Sequence, residues 1–200
     1  MAGTGHTITL YTAQADPVAE AIRRDGTCFS KEAYVQKKYG ESAPIFVTAY
    51  SFFVGEAAKR MERPEGAEYP YWAFHDSYNV DPSGGYGMLK LEVPLDQVLL
   101  FDVRDWNRIL CLKYLGETEE EEREIQNQLA EQGLTETKIM LTNFYPEWKM
   151  RIKESWKRLF RLNEKLKAGQ DVTKNGIQAG LWQIRREWIT EGGGFHGEGA

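Results

Sequence analysis

The chain has 200 residues, 42% of them hydrophobic, enough to bury a sizeable core in one domain or one domain with a helical extension. A formal net charge of -5 and a pI near 5.4 argue against a general nucleic-acid-binding surface and leave room for a local basic stripe only. The two cysteines, Cys28 and Cys111, and the three histidines are scattered, and no zinc, P-loop, dinucleotide-glycine or nucleophile-elbow spacing occurs, so neither a metal nor nucleophilic Ser or Cys chemistry is expected.

Residues 1–6 and 191–200 are Gly-rich and expected to fray. Residues 7–14 alternate apolar and polar side chains as a strand does, and Asp16-Pro17 then offers a helix cap and a first helical residue for 18–24, with Gly26 closing the turn before a short extended TCFS. Between 33 and 62 the pattern is helical with a break at 40–44, and Phe46, Tyr50, Phe53, Val54, Ala57, Ala58 and Met61 recur on one face. YWAFHD (71–76) reads as a short aromatic strand, and 88–102 is the clearest β signal, with Leu89, Leu91 and Val93 alternating against Met88, Lys90 and Glu92 until Pro94 interrupts.

The remainder reads as helices over 102–115, 117–133 and 145–169, followed by a last strand within 177–189 that sets Gln178, Gly180, Trp182 and Ile184 on one face. The Glu run at 119–122 fits a solvated helix face, and the Lys and Arg of 149–161 are interleaved with Glu147, Glu154 and Glu164. Trp148, Ile152, Trp156, Leu159 and Phe160 recur at helical spacing and are expected to pack against the sheet. Separated strands and helices of this kind suggest an α+β fold. With no basic-then-apolar leader and no apolar run of membrane-span length, a reduced, cytoplasmic protein without a membrane role is expected.

LYTAQADP (10–17) sets Tyr11, Thr12 and Gln14 at the mouth of a strand where a helix begins, which is either a polar strand end or the floor of a cleft whose helix N-terminus favours an anion. Tyr50 and Trp72 suit core packing or the stacking of a base. Gln178 and Trp182 suit a cross-strand pair or a pocket. Glu187, after two arginines, suits an ion pair or catalysis, and His75 beside Asp76 suits a loop hydrogen bond or acid–base work.

Taken in order, LYTAQ, AYSFFVGEAAKRM, YPYWAFHD, KLEVPLDQVLLFDVRDW, ESWKRLF and IQAGLWQIRREWI resemble an uncharacterised bacterial domain family of unknown function over most of 8–189. More loosely, the opening strand–helix–Gly–strand unit and EVPLDQVLLFD resemble the ADP-ribosyltransferase fold. That resemblance implies a small split sheet around an NAD cleft, with helical additions over about 103–170, and NAD as a substrate used to modify a macromolecular target in a toxin or phage-defence setting. It sets Thr12 at the first-strand position that grips the dinucleotide, with Tyr11, Gln14, Tyr50, Trp72 and Trp182 around it. Gln178, Gln183 and Glu187 are the positions nearest to the late-strand acid. Thr12 has neither charge nor imidazole, and Gln178 would orient a ribose hydroxyl where a carboxylate would stabilise cationic charge. A module on the same fold that binds a nucleotide or protein without catalysis is the alternative.

Overall fold

Two sheets organise the computed structural model, which describes residues 6–83, 86–170 and 175–192. The alternating TITLYTAQ forms β1 (Thr7–Gln14), and Pro17, with its preset φ, starts α1 (Asp16–Asp25), which Gly26 closes in the left-handed conformation at φ 77°. Next come β2 (Thr27–Phe29), α2 (Glu32–Tyr39) and, after a 3-10 turn at Gly40–Ser42, α3 (Ala43–Ala57). The aromatic YWAF is β3 (Tyr71–Phe74), and MLKLEVP falls within β4 (Gly87–Pro94), where Leu89, Leu91 and Val93 are buried as their alternation requires. Next are β5 (Leu99–Asp102), α4 (Val103–Leu110), α5 (Glu119–Glu131), α6 (Glu136–Leu141), α7 (Pro146–Trp156) and α8 (Arg161–Lys167). The chain closes with β6 (Ile177–Leu181), β7 (Gln183–Arg185) and β8 (Ile189–Gly192).

The large sheet has the order β5-β6-β3-β1-β4-β8 with every neighbour antiparallel, and β2 pairs with β7 in a second, two-stranded sheet. Both faces of the large sheet carry core. On one, Leu10, Ala73, Leu89, Leu91, Leu100 and Ala179 pack with Ile22 of α1, Ile184 of β7 and Trp188. On the other, Leu99 and Phe101 meet Tyr50 and Phe53 of α3 and Trp106 of α4, and this core runs on through Ile125, Leu129, Ile139, Ile152 and Trp156 of the later helices. The helices of 103–170 therefore continue the packing of the sheet.

Several sequence expectations need correction. The helix expected over 102–115 stops at Leu110, because the chain turns through Leu112 at φ 57° and buries that side chain. The helix expected over 145–169 is divided by a 3-10 turn at Lys157–Phe160, which turns Leu159 and Phe160 into the core. Trp148 packs against the edge of this core but stays half-buried, with the Arg151 guanidinium 5.1 Å from its ring, while Ile152 and Trp156 are fully buried. The last strand breaks at Trp182, so Gln178 and Gly180 stay in the large sheet while Ile184 pairs with Cys28 in the small one and reaches the opposite core. Glu191 and Gly192, expected to fray, pair with Lys90 and Leu89; 1–5 and 193–200 lie outside the described residues. Asp16 enters the first turn of α1, and Ala15 takes the cap position without a side-chain bond.

Candidate functional site

The register of the large sheet draws one line of side chains across five strands. Lys90 pairs with Tyr11, Tyr11 with Phe74, Phe74 with Gln178, and Gln178 with Phe101. Directly paired residues project from the same face, so the five stand side by side, from the β4 side of the sheet to β5. Burial is graded along the line. Lys90, Tyr11 and Phe74 are half-buried, Gln178 is 6% exposed and Phe101 is fully covered. The cause is the roof: α3 and α4 pack on this face over β5, β6 and β3, and beyond β1 the face carries Thr9, Lys90 and Glu92, whose side chains are polar and half-buried. The row is thus closed at the Gln178 end and wet at the Lys90 end.

Two polar features mark the closed end. The side-chain carbonyl of Gln178 is buried with no hydrogen-bond partner, a state that costs a folded protein about 1–3 kcal/mol. Directly after Phe74, His75 and Asp76 form a half-buried pair at 3.2 Å (Nδ1 to Oδ1), and the Tyr78 hydroxyl donates to the other Asp76 oxygen at 3.5 Å. The His75 amide donates to the Ile177 carbonyl at 3.0 Å and so holds the end of β3 against β6. At the wet end, the Lys90 ammonium donates to Glu191 at 2.7 Å, a solvent-screened pair, and its pKa is raised by that hydrogen bond.

The other sequence candidates fall elsewhere. By the two-residue period of β1, Thr12 and Gln14 share the face of Leu10, opposite to Tyr11 and Gln178. The Thr12 hydroxyl donates to the Trp72 carbonyl at 2.8 Å and accepts from the Gln14 amide at 2.8 Å, which ties the strand end together internally. On that face Tyr71 donates to the Cys28 thiol at 3.1 Å, and burial first, then this bond, pushes the Tyr71 phenol up. Tyr50 and Trp72 sit in an aromatic core: the Tyr50 ring lies 5.2 Å from Trp72 and 5.9 Å from Trp106, and burial raises its phenol pKa, assisted by the Tyr39 hydroxyl. A Cβ on Gly180 would stand 2.5 Å from the Phe53 ring, so the glycine is where α3 presses onto β6.

Trp182 is buried beneath the Arg63 guanidinium, 5.3 Å from its ring, and its indole N–H has no partner. Gln183 accepts from Thr27 Oγ1 at 3.1 Å between β7 and β2. Glu187 pairs with Arg185 at 3.1 Å on an exposed turn, as its two preceding arginines suggest. Of the named candidates, then, only Tyr11 and Gln178 stand in the register row. Lys90 and Phe74 were missed, since what selects them is cross-strand register, which no local pattern encodes. Among the described residues, no group of three or more His, Cys, Asp or Glu is placed to hold a metal ion. No helix there is long and apolar enough to cross a membrane.

The chain belongs to a family described as a domain of unknown function, DUF3841, whose model matches residues 9–190. That span includes the whole row, Tyr11, Phe74, Lys90, Phe101 and Gln178. No curated protein and no solved structure matches the chain.

Proposed function

We propose that this protein is ADP-ribosyltransferase-like and binds a dinucleotide of the NAD class across the row Lys90–Tyr11–Phe74–Gln178, for transfer of ADP-ribose to a macromolecular target. The observation that carries the reading is the unpartnered Gln178 carbonyl. It is an acceptor held ready where a half-covered sheet face closes, and a ribose hydroxyl is a donor of the right kind. Tyr11 and Phe74 offer ring surface for a base or nicotinamide, and Lys90 offers charge for a phosphate in exchange for Glu191, a swap that a surface ion pair allows at small cost. Transfer also needs a carboxylate beside the ribose as positive charge develops, and Asp76, held by His75, supplies one just past Phe74.

A second reading, binding without transfer on the same fold, is favoured by a different observation. The late-strand positions hold amides at Gln178 and Gln183, and Glu187 is turned to Arg185. Incubating the protein and Asp76→Asn with adenylate-labelled NAD and a cell lysate separates the two. Transfer predicts label on macromolecules with the wild type and its loss with Asp76→Asn, while NAD affinity persists. Binding of NAD with no label transferred by either protein selects the second reading.

A further inference from the structure

Beyond Lys90 the line of the row continues onto the edge strand. Glu191 of β8 pairs directly with Lys90 of β4, so its side chain projects from the same face. The backbone is shaped to put it there. Leu91 pairs with Ile189, and an unbroken register would set Thr190 opposite Lys90. A bulge between Lys90 and Leu91 passes over Thr190 and brings Glu191 into that place instead. Two contacts hold the shifted strand. The Thr190 hydroxyl donates to the Lys90 carbonyl at 3.3 Å. Gly192, at φ 96°, runs so close to β4 that a Cβ on it would stand 1.9 Å from the Met88 carbonyl oxygen. Glu92, the neighbouring acid on this face, is taken up by the Thr7 and Thr9 hydroxyls, which donate to it at 3.2 and 2.5 Å. Glu191 is therefore the carboxylate that meets the Lys90 ammonium, at 2.7 Å.

On the reading that Lys90 receives a ligand phosphate, this carboxylate stands where that phosphate would bind. We propose that Glu191 is a built-in competitor, an autoinhibitory contact that the pyrophosphate of the dinucleotide displaces when it engages the Lys90 end of the row. While the pair is closed, the two charges cancel and exert little long-range pull on an anion. The Glu191 side chain is 69% exposed, so a displaced carboxylate returns to water and the brake is mild, about two- to fivefold in affinity. The contact also selects by charge. A ligand with a pyrophosphate replaces the anion it removes, whereas a ligand without one leaves the pair closed.

Calorimetric titration of ADP-ribose and of adenosine into the full chain and Glu191→Gln, at low and high salt, tests this. At low salt Glu191→Gln should bind ADP-ribose about two- to fivefold more tightly than the wild type, and the difference should close as salt screens the freed ammonium. Adenosine, which has no phosphate, should gain nothing. Glu131→Gln, the same loss of charge on an exposed position of α5, should bind ADP-ribose as the wild type does, which separates a local competitor from a change in net charge. Equal affinity of the wild type and Glu191→Gln for ADP-ribose at low salt, or a gain that adenosine or Glu131→Gln shares, overturns the competitor and leaves the site standing. No binding of ADP-ribose by either protein overturns the site itself, and the competitor with it.

Discussion

Gln178 is the residue on which the account turns, because it is a polar group kept in a place that apolar packing would prefer. Its neighbours in register are Phe74 and Phe101, and it is 6% exposed with its carbonyl unpaired. A group of that kind is a stability cost of about 1–3 kcal/mol that a binding role explains. Gln178→Met, close to it in volume, removes the orphan and should raise the melting temperature by several degrees, a ΔΔG of 1 kcal/mol shifting Tm by roughly 2–4 °C in a chain of this size. An unchanged or lowered Tm by calorimetry would mean that the amide is satisfied in solution. Thr12 makes the contrast. It is as buried as Gln178, yet its hydroxyl is paired on both sides, and nothing about it awaits a ligand.

At the scale of elements, α7 shows how a helix outside the sheet comes to hold the fold. Trp156 is fully buried, edge-on to Phe52 at 5.2 Å, and its indole N–H donates to the Lys113 carbonyl at 2.7 Å, so one side chain ties α7 to α3 and to the segment after α4. Trp156→Ala should cost about 3–5 kcal/mol by denaturant titration, the upper part of that range if the Lys113 carbonyl is left dry. A loss below about 1 kcal/mol would show that α7 can detach with the sheet intact. Elements whose signal is local were legible in the sequence: the alternation of β1 and β4, and the apolar face of α3. Thr118 and Thr135 cap α5 and α6 through their side chains, and α6 itself, only six residues long, was not read from the sequence. The break at Trp182 was missed although the alternation changes phase there, the apolar positions being Ile177, Ala179 and Leu181 before it and Trp182 and Ile184 after it. It is forced by tertiary structure, which hands Gln183–Arg185 to β2.

Over the whole molecule, the composition and pattern indicated a mixed helix-and-strand fold, and the six-stranded antiparallel sheet with its helices has that character. What stayed hidden was strand order, and with it the candidate site, since Tyr11 and Gln178 become members of one row only once β3 is inserted between β1 and β6. Charge acts at this scale too, and two carboxyls pull stability in opposite directions with pH. Burial pushes the Glu56 carboxyl up, but hydrogen bonds from Lys59 and Arg60 outweigh it and hold the group below 4.5, so its contribution is complete above that value and is lost as pH falls through the folded value. Asp105 is held above its ordinary 3.8, chiefly by burial. It therefore destabilises at neutral pH, and the penalty disappears as pH falls through its raised value. In a Tm series against pH, Glu56→Gln should lower Tm at neutral pH with a deficit that shrinks in acid, and Asp105→Asn should raise Tm at neutral pH with a gain that shrinks in acid. Two deficits of the same sign would refute the assignment of opposite shifts.

The central claim is that the register row binds an NAD-class dinucleotide through Gln178, and calorimetric titration of NAD into the wild type and Gln178→Met tests it most directly. The account predicts saturable heat with the wild type and affinity weaker by about tenfold or more in the variant, since 1.4 kcal/mol, within the range for a buried hydrogen bond left unmade, is a factor of ten. Equal affinity in the two proteins, or no heat from the wild type with NAD or ADP-ribose, would contradict it.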